Sequence, residues 1–166
     1  MEKFTITHEL RGAAPEAWVL LLDDEFVGEV YRQDLGYRQW AVSERTEDSG
    51  KTTRKVLMTP NRSMPGPVAK VFGSDYQESE HSVFSPSARV WQWNRVSSTM
   101  ADKLRQEGLV RIEEAGAGSR MVIQTVIEAK IFGVGPQVES TFKKAYREEA
   151  DTFAVSLSKR LAAAQG

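Results

Sequence analysis

The sequence predicts an α+β fold in which a strongly curved, seven-stranded antiparallel sheet wraps around a long C-terminal helix, in the order β-α-α-β-β-β-β-β-β-α. Three observations lead there. The last thirty or so residues carry apolar side chains at spacings of three and four. Six consecutive stretches before them alternate with period two and are joined mostly by short polar turns. A first alternating stretch is separated from those six by two short helical segments.

In chain order, Phe4, Ile6, His8 and Leu10 alternate with Thr5, Thr7 and Glu9, which reads as the first strand. Gly12-Ala13-Ala14-Pro15 ends it. Pro15 suits a first helical turn, because its missing N–H would have no partner there, and the helix that follows sets Ala17, Trp18, Leu21 and Leu22 on one side. A second helix, Glu25 to Leu35, offers Phe26, Val27, Val30 and Tyr31 before Gly36 ends it. Both are too short to form a core, so they are expected to cap one edge of something larger.

Tyr37 to Thr46 then alternates, with Trp40 and Val42 in phase, and Glu47-Asp48-Ser49-Gly50 forms a turn. Lys51 to Thr59 alternates again, with Val56 and Met58 opposite Leu57. Asp75 to Ser85, Ser87 to Ser98, Lys103 to Glu114 and Ser119 to Ile131 supply four more strands, and Gly108 predicts a bulge where the sheet bends. In the last of these, Met121, Ile123, Thr125, Ile127, Ala129 and Ile131 share one face while Gln124, Glu128 and Lys130 share the other. One face of the sheet is therefore covered and the other wet. Short connections between successive strands favour antiparallel pairing, since parallel pairing needs long crossovers.

Gly133-Val134-Gly135-Pro136 leads into the final helix, Gly135 to Ala164. Val138, Phe142, Ala145, Tyr146, Ala150, Phe153, Leu157 and Leu161 form its apolar stripe, opposite Lys143, Lys144, Arg147 and Glu148. At about 1.5 Å per residue that stripe runs roughly 36 Å, close to the full width of a domain of this length. A single domain over residues 1–166 is the expectation.

Composition narrows the function. A net charge of −1 gives no clustered positive excess for nucleic acid, and the absence of cysteine removes disulfides, thiolate metal sites and a cysteine nucleophile. No apolar run approaches the roughly 20 residues of a membrane span. With no apolar signal region after Met1, a cytoplasmic location is expected. Gly50-Lys51-Thr52 copies the end of a phosphate loop, but Arg45 stands where glycine is required, and Gly133 and Gly135 match only half of a dinucleotide fingerprint. His81 follows Glu78 and Glu80, yet adjacent strand residues face opposite sides and leave too few ligands for a metal. No cofactor, no metal and no catalytic set is expected.

The element order, the early helix pair and the Gly-Val-Gly-Pro lead into the last helix resemble the helix-grip fold of the START-like (SRPBCC, birch-pollen-allergen-related) superfamily, and within it an uncharacterised bacterial branch. Met64-Pro65-Gly66-Pro67-Val68-Ala69-Lys70-Val71-Phe72-Gly73, followed by Tyr76, Glu78 and Ser79, is also locally similar to PRELI-type phospholipid-transfer domains. The resemblance implies a hydrophobic cavity between sheet and helix that holds a lipid, sterol or polyketide-like ligand, bound for transport or sensing without turnover. Within the superfamily the alternatives are a cyclase or hydratase, whose acid or base would come from His8, Tyr76, Tyr146, Arg89 or Arg95, and a co-chaperone-like interaction module.

Candidate cavity residues follow from phase. The sheet offers His8, Trp40, Met58, Tyr76, Ile123, Thr125 and Ile127, and the helix offers Phe142, Tyr146 and Phe153. Trp91 and Trp93 share a strand face with Arg89 and Arg95. If that face is inward, the arginines need an acidic partner; if outward, they are solvated beside the rings. Alternation leaves both open. The stretch Pro60 to Gly73 is long enough for a lid. Between Lys51 and Gly73 there are basic residues and no acid, so Arg62, Val68, Lys70, Val71 and Phe72 are candidates for transient contact with an anionic membrane, with Phe72 also reaching the cavity. The alternative is a packed connection with ordinary solvated charges. No nucleic-acid partner is expected.

Overall fold

A computed structural model describes residues 1–165. The strands are β1 (Glu2–Leu10), β2 (Gln39–Asp48), β3 (Lys51–Thr59), β4 (Glu78–Ser85), β5 (Val90–Ser97), β6 (Leu104–Ala115) and β7 (Gly118–Ala129). The helices are α1 (Ala14–Leu21), α2 (Asp24–Glu29), α3 (Gly66–Phe72) and α4 (Gly135–Gln165), and α2 runs on into one wide π-helical turn, Val30–Asp34. The strands form one sheet in the order β1-β7-β6-β5-β4-β3-β2, with every neighbour antiparallel. β1 pairs with β7 at one edge, and the helix pair carries the chain to β2 at the other. The expected α+β architecture is the one observed, with α3 added inside the long loop. No described helix is long and apolar enough to cross a membrane.

Register decides which side chains meet. Arg54, Ser82, Trp93, Gly108 and Thr125 pair in turn across five strands, as do Val56, Glu80, Arg95, Gln106 and Ile127 two residues along. Both rows lie on the covered face. β5 begins at Val90 rather than at Ser87, because Pro86 to Arg89 form a turn that closes with the Arg89 N–H on Pro86 O at 3.2 Å. β4 likewise begins at Glu78 rather than at Asp75.

Gly108 is not a bulge. It pairs with Trp93 on one side and Thr125 on the other without a register break, and the break that does occur lies between Val42 and Glu44. Its role is close approach. A Cβ there would stand 2.0 Å from Gln124 O and 2.9 Å from the Trp93 ring. Glycine lets the strands curve and lets the cross-strand indole lie over bare backbone, as aromatics do over sheet glycines.

The apolar interior is divided. One cluster gathers Trp18, Phe26, Trp40, Phe84, Trp91 and Leu157 under the helix pair. The other gathers Phe4, Phe72, Tyr76, Ile127, Val138 and Phe142 at the opposite end of α4. The α4 stripe serves both: Val138, Phe142, Tyr146, Ala150, Leu157 and Leu161 are all buried. Gly108→Ala should cost at least ~2 kcal/mol in urea unfolding, because a backbone oxygen has to move to admit the methyl group. A change below ~0.5 kcal/mol, the scale of an unconstrained surface substitution, would contradict this account of the sheet.

Candidate functional site

Between the two apolar clusters lies a buried ionic network. Arg62, from the loop ahead of α3, donates from Nη1 to Glu78 Oε1 at 3.1 Å and from Nε to Glu149 Oε1 at 3.0 Å. Arg95 on β5 donates from Nε to Glu80 Oε2 on the neighbouring strand at 2.8 Å and from Nη2 to the Tyr31 hydroxyl at 3.2 Å. Tyr76 donates to Glu78 at 2.6 Å, Tyr37 to Glu149 at 2.7 Å, and Tyr146 to Gln106 at 2.7 Å. The Tyr146 ring lies within 5.0 Å of the Arg62 guanidinium and 5.1 Å of that of Arg95. The side chains of Arg62, Arg95 and Glu78 are 3%, 4% and 0% exposed, so water is not their partner.

Burial would raise the Glu78 carboxyl. The Arg62 and Arg95 guanidiniums outweigh that effect and hold it below the usual carboxylate range. The phenols move the other way. Burial pushes Tyr31 up to about 12 against the opposing pull of Arg95, and it also raises Tyr37, Tyr76 and Tyr146. Tyr31 is thus protonated at neutral pH while it accepts from Arg95, and Glu78 is an ionised acceptor.

On the helix-pair side of this network lies a cavity of about 130 Å³. Tyr31, Trp40, Trp91, Trp93 and Phe153 wall it, Met121 and Ile123 close it from the sheet, and Ala150 and Tyr146 do so from α4. Arg54, Arg95, Glu80, Glu149 and Thr125 bring polarity to the same walls. The space is comparable to the roughly 150 Å³ apolar cavity that takes benzene and well below the roughly 300–1,000 Å³ of drug-sized pockets. A larger depression, about 950 Å³, lies on the opposite face of the sheet, open and lined by outward residues such as Lys55, His81, Gln92 and Gln124.

The tryptophan strand faces inward. Trp91 and Trp93 line the cavity with Arg95, and the acidic partner that an inward arginine requires is Glu80, directly across the β4–β5 ladder. Trp40, Ile123, Thr125, Tyr146 and Phe153 also line it. Other candidates lie elsewhere. His8 bonds Asp151 on the flank of α4 at 2.8 Å. Arg89 is exposed, since its turn residue at φ 49° has left the strand. Met58 is packed solid in the first apolar cluster, and Phe72, Tyr76, Ile127 and Phe142 in the second. Of the lid candidates Arg62, Val68, Lys70, Val71 and Phe72, only Lys70 meets solvent fully. Val68 and Phe72 are buried under α3, Val71 is half-buried, and the Arg62 charge is spent on Glu78 and Glu149 rather than facing a membrane.

Sequence reasoning missed Tyr31, Arg54, Glu80 and Glu149 as cavity residues. For Glu149 the signal was present: it lies three residues after Tyr146 and four before Phe153, on the apolar side of α4.

A family model described as a protein of unknown function (DUF2505) matches residues 5–159, and the chain belongs to that family. No curated protein sequence matches it. Among solved structures, TTHA0849 from Thermus thermophilus superposes with a TM-score of 0.68 at 16% identity, over 99% of this chain and 100% of its own. Norcoclaurine synthase from Thalictrum flavum, in complex with dopamine and hydroxybenzaldehyde, gives 0.62 at 11% identity over 97% and 86%. The di-domain ARO/CYC StfQ of steffimycin biosynthesis gives 0.63 at 12% identity over 98% and 51%, so this chain spans about half of it. At these identities the likeness is one of fold, and the fold is the helix grip. The local similarity of Met64–Gly73 to PRELI-type domains gains no support from these matches.

All four tyrosines of the chain belong to the network or touch it. Their raised pKa values favour the folded state fully below the free-phenol value of about 10, and that contribution is lost as pH rises through the folded values. Native protein should therefore show no tyrosinate absorbance up to about pH 11, and ionisation should arrive together with the loss of circular dichroism. Phenolate growing in near pH 10 while the fold persists would contradict the buried network.

Proposed function

We propose that this member of the DUF2505 family binds a small, single-ring amphiphile in the cavity between α4 and the sheet, as a carrier or sensor rather than by turning the ligand over. The observation that carries this reading is the cavity itself: six aromatic side chains around about 130 Å³, with Arg95, Glu80 and Glu149 grouped together on its wall. An aromatic enclosure of that size gains from removing one ring from water, and the polar side orients it. The helix-grip resemblance alone implies a larger ligand. A sterol or long acyl chain exceeds the available space, because Phe72, Tyr76, Phe142 and the ion pairs occupy the volume that such a ligand would fill. That norcoclaurine synthase is solved with two single-ring compounds supports the capacity of the fold for ligands of this scale.

The groups fixed around the cavity suit holding more than proton transfer. Tyr31 on its wall keeps its proton, and Glu78, in the network behind that wall, stays ionised. Titrating the protein with phenol and toluene should give saturable quenching of tryptophan emission, since Trp40, Trp91 and Trp93 line the site. Palmitate should give none. Ala150→Phe, which drives a ring from α4 into the cavity, should weaken phenol binding at least about tenfold with little change in melting temperature. Saturable palmitate binding, or unaltered phenol binding in Ala150→Phe, would overturn this reading.

A further inference from the structure

The hydrogen bonding around the cavity is unbalanced, and the imbalance has a sign. Among the described residues, the cavity-lining residues that carry a buried side-chain atom without a partner are Arg95 (Nη1), Thr125 (Oγ1) and Arg54 (Nε). No carboxylate oxygen is in that condition. Two of the three nitrogens of Arg95 are bonded, to Glu80 and Tyr31, while Nη1 has only the carboxylate oxygens of Glu78 and Glu149, each 3.8 Å away and beyond bonding reach. Thr125 is 2% exposed and the Arg95 side chain 4%. Arg54 is held apart, bonded to Asp24 at 2.8 Å with its guanidinium 4.4 Å from the Trp91 ring. Buried donors are rarely left unpaired, so the demand that a ligand would meet here is for an acceptor.

Charge then limits what kind of acceptor. Around Arg95 stand Glu78, Glu80 and Glu149 against Arg62 and Arg95, which leaves one negative charge in excess. The Arg54 charge is already matched by Asp24. A ligand carboxylate would bring a further negative charge into a dry, acidic surrounding. An uncharged oxygen brings none.

We infer that the cavity selects single-ring carbonyl compounds, with the ligand oxygen accepting from Arg95 Nη1 and from the Thr125 hydroxyl while the ring lies among the tryptophans. The inference rests on the reading of this cavity as the ligand site and names what that site recognises. Arg95 is its specificity residue, and Glu80 and Tyr31 are the groups that hold the guanidinium so that one edge stays free. Tyr31 accepts from Arg95 and keeps its own proton to donate, so it adds a donor rather than competing for the oxygen.

Three probes separate the possibilities: acetophenone, ethylbenzene, which has the same shape without the oxygen, and benzoate, which carries the charge. Their affinities can be read from the indole N–H signals of uniformly labelled protein by NMR titration. Acetophenone should bind about tenfold more tightly than either of the others, the usual scale for a hydrogen bond to a charged donor. Arg95→Lys keeps the charge beside Glu80 but withdraws Nη1, and should erase most of that preference. Thr125→Val, close to isosteric and free of charge, should reduce it several-fold and decides the matter where Arg95→Lys does not fold. Equal affinity for acetophenone and ethylbenzene, or a preference that survives in both variants, would overturn the inference and leave the cavity as a ligand site. Tightest binding of benzoate would overturn the requirement for an uncharged oxygen. Binding of none of the three would overturn the inference together with the reading of the cavity on which it rests.

Discussion

Two guanidiniums and three carboxylates, all largely withdrawn from water, determine how the interior of this fold is arranged. Removing such groups from solvent costs several kcal/mol each, and the cost is met only where every charge is paired and hydrogen-bonded. Here the partners come from every part of the chain: Arg62 from a loop, Glu78 and Glu80 from β4, Arg95 from β5, Glu149 from α4, with tyrosines on the remaining lone pairs. Loss of one partner would leave an uncompensated buried charge, at a cost of ~3–5 kcal/mol. The network therefore fixes where α4 crosses the sheet and draws the loop ahead of α3 inward.

That constraint shapes the cavity. An apolar sheet gripping an apolar helix would close on itself or leave one long void. A charged belt across the middle instead separates a packed half, around Phe72, Phe142 and Ile127, from a half in which aromatic walls stand apart by about one ring. The belt also supplies the polar side of the cavity. Trp93 joins the two halves, since it packs against both clusters and lies over Gly108, where backbone replaces a side chain beneath it.

The architecture was legible in the sequence because periodicity is local. The stripe of α4 and the alternation of β7 state which side is covered without reference to anything distant. The cavity was less legible because its decisive contacts are not local. Alternation places Trp91, Trp93 and Arg95 on one face but does not say which face is inside, and that depends on Glu80 standing opposite Arg95 in the β4–β5 register. The stretch from Lys51 to Gly73 contains no acid and so reads as a basic patch. Its acids arrive from Asp24, 30 residues before Arg54, and from Glu149, 87 residues after Arg62. Arg89 shares a phase with Trp91 in sequence yet stands in a turn, because phase carries no information once the strand has ended.

The most direct measurement is the solvent exchange of the arginine Nε–H groups, observed by NMR in labelled protein near neutral pH. The account predicts that Arg62 and Arg95 keep sharp, slowly exchanging Nε–H signals, because each is buried and bonded to a carboxylate, while the exposed Arg38 and Arg89 exchange rapidly. Exchange at Arg62 and Arg95 as fast as at the exposed arginines would mean that water reaches the belt, and the division of the interior on which the cavity depends would not stand.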